Sequence, residues 1–170
     1  MNPLSIIHQL EANGKTFEGL LPGASMNEWV WRPAEKKWCL LEIACHLYDE
    51  EREDFRARLK HALENPEAPL PPIDPTGWID SRKYMEKNYA EVVSAFLQER
   101  KQSVHWLLAL QAPDWKSAHK HPKFGPMSAE MFLANWLAHD YLHIRQILRL
   151  KYQYLKQAAA EVSLTYAGDW

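Results

Sequence analysis

Apolar positions recur at helical spacing in four long stretches of the chain, and breaks rich in Pro and Gly separate them. The first stretch runs from about Pro3 to Leu21, with Leu4, Ile7, Leu10, Phe17 and Leu20 as its stripe and Pro22-Gly23 as its stop. Asn27 to Lys37 holds Trp29, Trp31, Arg32 and Pro33 without a period, which predicts a loop packed onto the helices. A second helix is expected from about Cys39 to Glu64. Leu40, Ala44, Leu47, Tyr48, Phe55 and Leu59 form its core face, and Arg52, Glu53, Arg56, Arg58 and Lys60 fall on a face expected to be solvated. Glu42 stands three residues after Cys39, which is capping-box spacing. The prolines at 66, 69, 71, 72 and 75 exclude a helix and predict a long extended crossover up to Asp80. A third helix is expected over about Arg82 to Leu110, then a loop from Gln111 to Met127. The fourth spans Ser128 to Lys151, capped by Ser128 with Glu130 in its first turn. The pattern predicts an all-α fold: one domain over residues 1–170, a four-helix bundle with a long crossover loop between helices 2 and 3 and a short tail ending in Trp170.

Composition narrows the function. With 170 residues and 46% hydrophobic content the chain can bury a sizeable core. A formal net charge of −2 with no basic run argues against nucleic acid as the main partner. Cys39 and Cys45 lie six apart on one expected helix, near opposite sides of it, so they cannot bridge each other. The start of the chain lacks the basic and apolar regions of a signal peptide, and no apolar run reaches the ~20 residues of a membrane span. The expectation is a cytoplasmic protein with no membrane partner. No P-loop, dinucleotide-type Gly motif or internal repeat occurs.

The chemistry concentrates in the fourth helix. A spacing of four residues turns an α-helix by about 400° and raises it by roughly 6 Å, so His139 and His143 leave one face a turn apart. Phe132, Trp136, Gln146 and Leu150 flank them, which points that face inward. Two buried imidazoles are either satisfied one by one in the core or share a metal ion, and a shared ion needs at least a third ligand. His8, His61, His105, His119 and His121 have polar neighbours and read as solvated. His46 differs, because it lies in the least polar part of the second helix with Glu42 and Glu50 on its side.

Trp38-Cys39-Leu40-Leu41-Glu42-Ile43-Ala44-Cys45-His46-Leu47-Tyr48-Asp49 resembles the second-helix motif of the DinB-like, YfiT-like superfamily. His139-Asp140-Tyr141-Leu142-His143-Ile144-Arg145-Gln146-Ile147 resembles its fourth-helix motif, and Trp31-Arg32-Pro33 and His121-Pro122-Lys123-Phe124-Gly125 are similar to further family patterns in the same order. Cys39 departs from the usual Ser or Thr at the helix cap. The resemblance implies a four-helix bundle holding a divalent metal, zinc or nickel, on His46, His139 and His143. Asp49, Glu50 and Gln146 are then the groups that would orient those rings, with Glu50 alternatively a fourth ligand. For Asp49 and Asp140 the other reading is a surface helix charge. The resemblance further implies a homodimeric enzyme acting on a small molecule: a thiol S-transferase that adds a low-molecular-weight thiol to an electrophile, or a related hydrolase. The competing reading is a non-catalytic, stress-induced metal-binding protein with a structural or interaction role.

Overall fold

The computed structural model describes residues 2–168; Trp170, the end of the expected tail, lies outside them. Helix α1 spans Pro3–Leu20, with Pro3 opening it and the Asn2 side chain accepting from the Leu4 N–H at 3.1 Å. A four-residue helix α2 (Met26–Trp29) then forms where a loop was expected, because Ser25 caps it by accepting from the Glu28 N–H. The second long helix is α3 (Leu40–Asp49), a π-helical stretch (Glu50–Phe55) and α4 (Arg56–Glu64) in unbroken succession. Glu42 reaches back to accept the Cys39 N–H at 2.9 Å and takes both arms of Arg32, so it fixes the Trp31-Arg32-Pro33 loop to the helix start.

The crossover contains one further short helix, α5 (Trp78–Ser81). The third long helix, α6, starts at Tyr89 and not at Arg82, and runs to Ala109. Lys83 has a left-handed backbone (φ 51°) and Lys87 is extended, so a 3-10 turn at Tyr84–Glu86 is isolated from the helix that Asn88 caps. The expected loop before the fourth helix holds an antiparallel hairpin, β1 (Ala118–His121) with β2 (Gly125–Ser128), paired in the register His121 to Gly125. Helix α7 follows at once (Ala129–Ala158), with Ser128 accepting from the Met131 N–H as expected. It outruns the expected end by a further two turns.

The helices bury two apolar clusters. One gathers Phe17, Leu41, Ile43, Phe96 and Ile147, and the other Leu10, Leu59, Leu107, Leu133 and Trp136. A polar knot also lies in the interior. The Arg100 guanidinium, 2% exposed, grips Glu51 at 2.8 and 3.0 Å and Asp140 at 2.6 and 2.7 Å, each through two hydrogen bonds. It also donates to the Leu10 carbonyl. Asn13 donates to Asp140, and the Trp136 indole N–H donates to Glu51. Residues of α1, the π-helical stretch, α6 and α7 therefore meet at one side chain. Burial pushes the Asp140 carboxyl up while Arg100 beside it pulls it down, and burial wins.

Asp140 and Asp49 are thus not surface charges; both are buried. The face expected to be solvated is largely engaged as well. Arg56 pairs with Glu99 and donates to Ser103, Arg58 pairs with Asp54, and Glu53 takes both arms of Arg82. Only Lys60, paired loosely with Glu64, fits the expectation well. Among the described residues no helix is long and apolar enough to cross a membrane.

Removing one partner of a buried, fully hydrogen-bonded charge cluster costs about 3–5 kcal/mol, because the remaining charges stay desolvated and unpaired. Arg100→Ala should lower the unfolding free energy in urea by about that amount. Lys60→Ala should change it by less than about 0.5 kcal/mol.

Candidate metal centre

His46 comes from α3, and His139 and His143 from successive turns of α7. Their Nε2 atoms converge: His139 Nε2 lies 3.2 Å from that of His46 and 3.1 Å from that of His143. A ligand nitrogen from each ring lies within 4.8 Å of the other two. Nitrogens held about 2.0–2.1 Å from one ion would be spaced by roughly 3.0–3.4 Å, so the first two separations suit a common ion.

Electrostatics prepares the same set. Burial, reinforced by the neighbouring imidazoles, lowers His46 to about 3 and His139 to about 2; burial lowers His143 to about 4, against a small opposing push from Gln146. All three rings are neutral at neutral pH, with lone pairs free to coordinate. Two of their other nitrogens, His46 Nδ1 and His143 Nδ1, are buried without a hydrogen bond, as is Glu50 Oε1. Glu50 Oε1 faces His46 Nδ1 at 4.0 Å. The Glu50 carboxyl thus faces the outer nitrogen of His46, the place of a group that orients a ring whose opposite nitrogen holds a metal. The donor set and its unpartnered outer atoms fit a divalent ion.

Because Glu50 meets the Nδ1 side of His46, it stands outside the three converging nitrogens. Burial, then Asp54, raises its carboxyl to about 8. Asp54 is in turn paired with Arg58. Asp49 is committed elsewhere: Tyr84 donates to it at 2.7 Å, and Arg52 and Arg82 each approach to 2.9 Å. Gln146 lies beside His143, but no hydrogen bond reaches its Nδ1. Aromatic rings wall the cluster. Trp38 meets His46 edge-on at 4.8 Å, and Phe55 lies 4.9 Å from His139 and stacks on Trp136.

On one side the cluster is reachable. A cleft of about 650 Å³ has His139 in its wall, with Phe55, Phe132, Leu142, Ile73 and Phe124. Ile73 belongs to the crossover and Phe124 to the hairpin turn, so segments far apart in sequence close over α7. The hairpin also revises two histidines read as solvated. His119 is buried, its Nδ1 2.9 Å from the Pro66 carbonyl, and His121 lines the cleft. The apolar alternation that would announce a buried hairpin is missing there. The signal that remained was the His-Pro-Lys-Phe-Gly run noted above.

A helical bundle with three histidines converging from two helices defines a class of candidate metalloproteins. The sequence model of the DinB superfamily matches residues 9–147, and the chain belongs to that superfamily. Among solved structures it is similar to YfiT from Bacillus subtilis, described as "a probable metal-dependent hydrolase with an unusual four-helix bundle topology". The match has a TM-score of 0.78 at 16% identity and covers 89% of this chain and 87% of that one, which establishes a shared fold. No curated protein matches the sequence.

The depressed histidines set the acid limit of the metal-free protein. Their folded pKa values lie below the unfolded value of about 6.5, so the unfolded chain binds more protons below that pH and stability is lost as pH falls. Glu50 has the opposite sign, since its raised folded pKa favours the native state until pH rises through about 8. Between pH 4.5 and 6.5 the three histidines outweigh Glu50 and the likewise raised Asp140. In the presence of a chelator, the urea midpoint should therefore peak near pH 6.5 and fall on both sides, more steeply toward acid.

Proposed function

We propose that the protein is a divalent-metal-dependent enzyme that adds a low-molecular-weight thiol to a small-molecule electrophile. His46, His139 and His143 would hold the ion, zinc or nickel. The observation that carries this reading is the convergence of three neutral imidazoles at a point whose His139 side opens into an apolar cleft. When bound, such an ion supplies Lewis acidity that lowers the pKa of a coordinated thiol or water.

The protein's own groups then have separate tasks. Glu50, behind His46, would accept its Nδ1–H and fix the ring. Trp38 and Phe55 hold the imidazole planes and exclude bulk water from two sides. The cleft receives the electrophile. Its one carboxylate among the described residues, Asp54, is tied to Arg58, so no free carboxylate base stands in its wall. A thiol, which ionises far more easily than water, suits such a site better. Hydrolysis is the second reading, favoured by the description of YfiT. A purely structural metal is the third.

Two measurements decide among these. Elemental analysis of purified variants should show His46→Ala, His139→Ala and His143→Ala each losing most of the metal, while His119→Ala keeps it. Full occupancy in the His46 variant would remove it from the site. The cobalt-substituted protein should gain a thiolate charge-transfer band when the matching thiol is added from a panel. A spectrum indifferent to every thiol but sensitive to hydroxide would favour hydrolysis, and one indifferent to both would favour a structural ion.

A further inference from the structure

The turn of the hairpin beside the cleft is closed by a side chain. The Lys123 and Phe124 backbone N–H groups donate to His121 Nδ1, at 3.1 and 3.2 Å. A ring nitrogen that accepts carries no proton, so the neutral imidazole is fixed in the tautomer with its proton on Nε2. Stacking of the ring on Phe124, 4.7 Å between centroids, fixes its plane as well. Among the described residues nothing accepts from the His121 Nε2–H, and the ring lines the same cleft as His139. The hairpin thus leaves an oriented, unused donor on a ring that lines the cleft in front of the histidine cluster.

The rest of the wall limits what such a donor serves. Its one carboxylate and its one guanidinium, Asp54 and Arg58, pair with each other. Asn135 donates one amide N–H to the Met131 carbonyl at 2.9 Å, which leaves its second N–H and its side-chain oxygen. The remaining surface is mainly aromatic and aliphatic. An apolar wall with a few neutral hydrogen-bonding groups and no unpaired charge matches an uncharged ligand that carries a carbonyl. We propose that His121 is a positioning residue whose Nε2–H holds the carbonyl oxygen of an uncharged, apolar substrate in this cleft. That the ligand is a substrate rests on the enzymatic reading above; that His121 is the donor rests on the hairpin and the cleft.

The test uses N-methylbenzamide as probe and ethylbenzene, which has no carbonyl, as control, both titrated into the full-length protein labelled with nitrogen-15. The ring spectrum of His121 should show an unprotonated Nδ1, and the amide should move its Nε2 resonance while the hydrocarbon does not. His121→Asn keeps an oxygen able to accept the two turn N–H groups and removes the outer donor. It should melt like the parent yet bind the amide about fivefold more weakly, the worth of one neutral hydrogen bond. His121→Gln, which places an amide N–H near the Nε2 position, should recover most of that loss. A proton found on Nδ1, equal amide binding by parent and His121→Asn, or no amide binding by the parent would each overturn the proposal. If His121→Asn fails to fold, the parent's ring spectrum and titration decide alone. Metal content measured on the same samples separates the two readings. Amide binding through His121 without metal in the cluster defeats the enzymatic reading only, and full metal with an unresponsive His121 defeats only this one.

Discussion

The bundle closes around a charge it cannot leave unpaired. Arg100 is buried, and removal of its positive charge from water is tolerable only if Glu51 and Asp140 arrive in the right place with both oxygens. Those partners come from different helices, and Asn13 and the Leu10 carbonyl bring a third to the same point. The network also borders the candidate metal centre through the chain itself. Glu51 follows Glu50, and Asp140 follows His139. Neighbouring residues on a helix point roughly 100° apart, so a backbone that seats Glu51 and Asp140 on Arg100 has already aimed Glu50 and His139 toward the cluster. The knot carries one cation against two carboxylates, and an ion on the neutral histidines would offset that excess.

How much of this was legible in the sequence depended on whether the signal was periodic. The four long helices, their caps at Ser128 and near Cys39, and the shared face of His139 and His143 follow from spacing alone. The addition of His46 to them took the resemblance of the surrounding motif, since one histidine among apolar residues reads better as a satisfied core group. Arg100 was hidden by its company: Gln98, Glu99, Lys101 and Gln102 surround it, and the run reads as a solvated face. The same blindness applied to Arg56 and Arg58, whose partners are supplied by tertiary contact. The hairpin escaped because its strands are four residues long and alternate poorly. The start of α6 was misplaced because apolar Tyr84 sits at helical phase in a turn that a left-handed Lys83 breaks off.

The walls of the cleft come from two kinds of element. The cluster stands on two rigid helices, whereas Ile73 and Phe124 belong to connections. Loops tolerate change that packed helices do not, so under the proposed function the ligand's shape would be read by one layer of the molecule and the ion by another.

The wide turn at Glu50–Phe55 joins those layers. Each such turn accommodates one residue more than an α-helical turn, and it lies between His46 and the second half of the same helix. It acts as a phase shifter. Upstream, the helix is clocked to the histidine cluster; downstream, it is clocked to Leu59 and the apolar cluster around Leu133. Loss of a single residue within the stretch would restore uniform winding and swing one half by about 100° relative to the other. Phe55 could then no longer face His139 while Leu59 stayed in the core. A change of one codon's length, with no ligand altered, would separate the walls of the cleft from the histidines they surround.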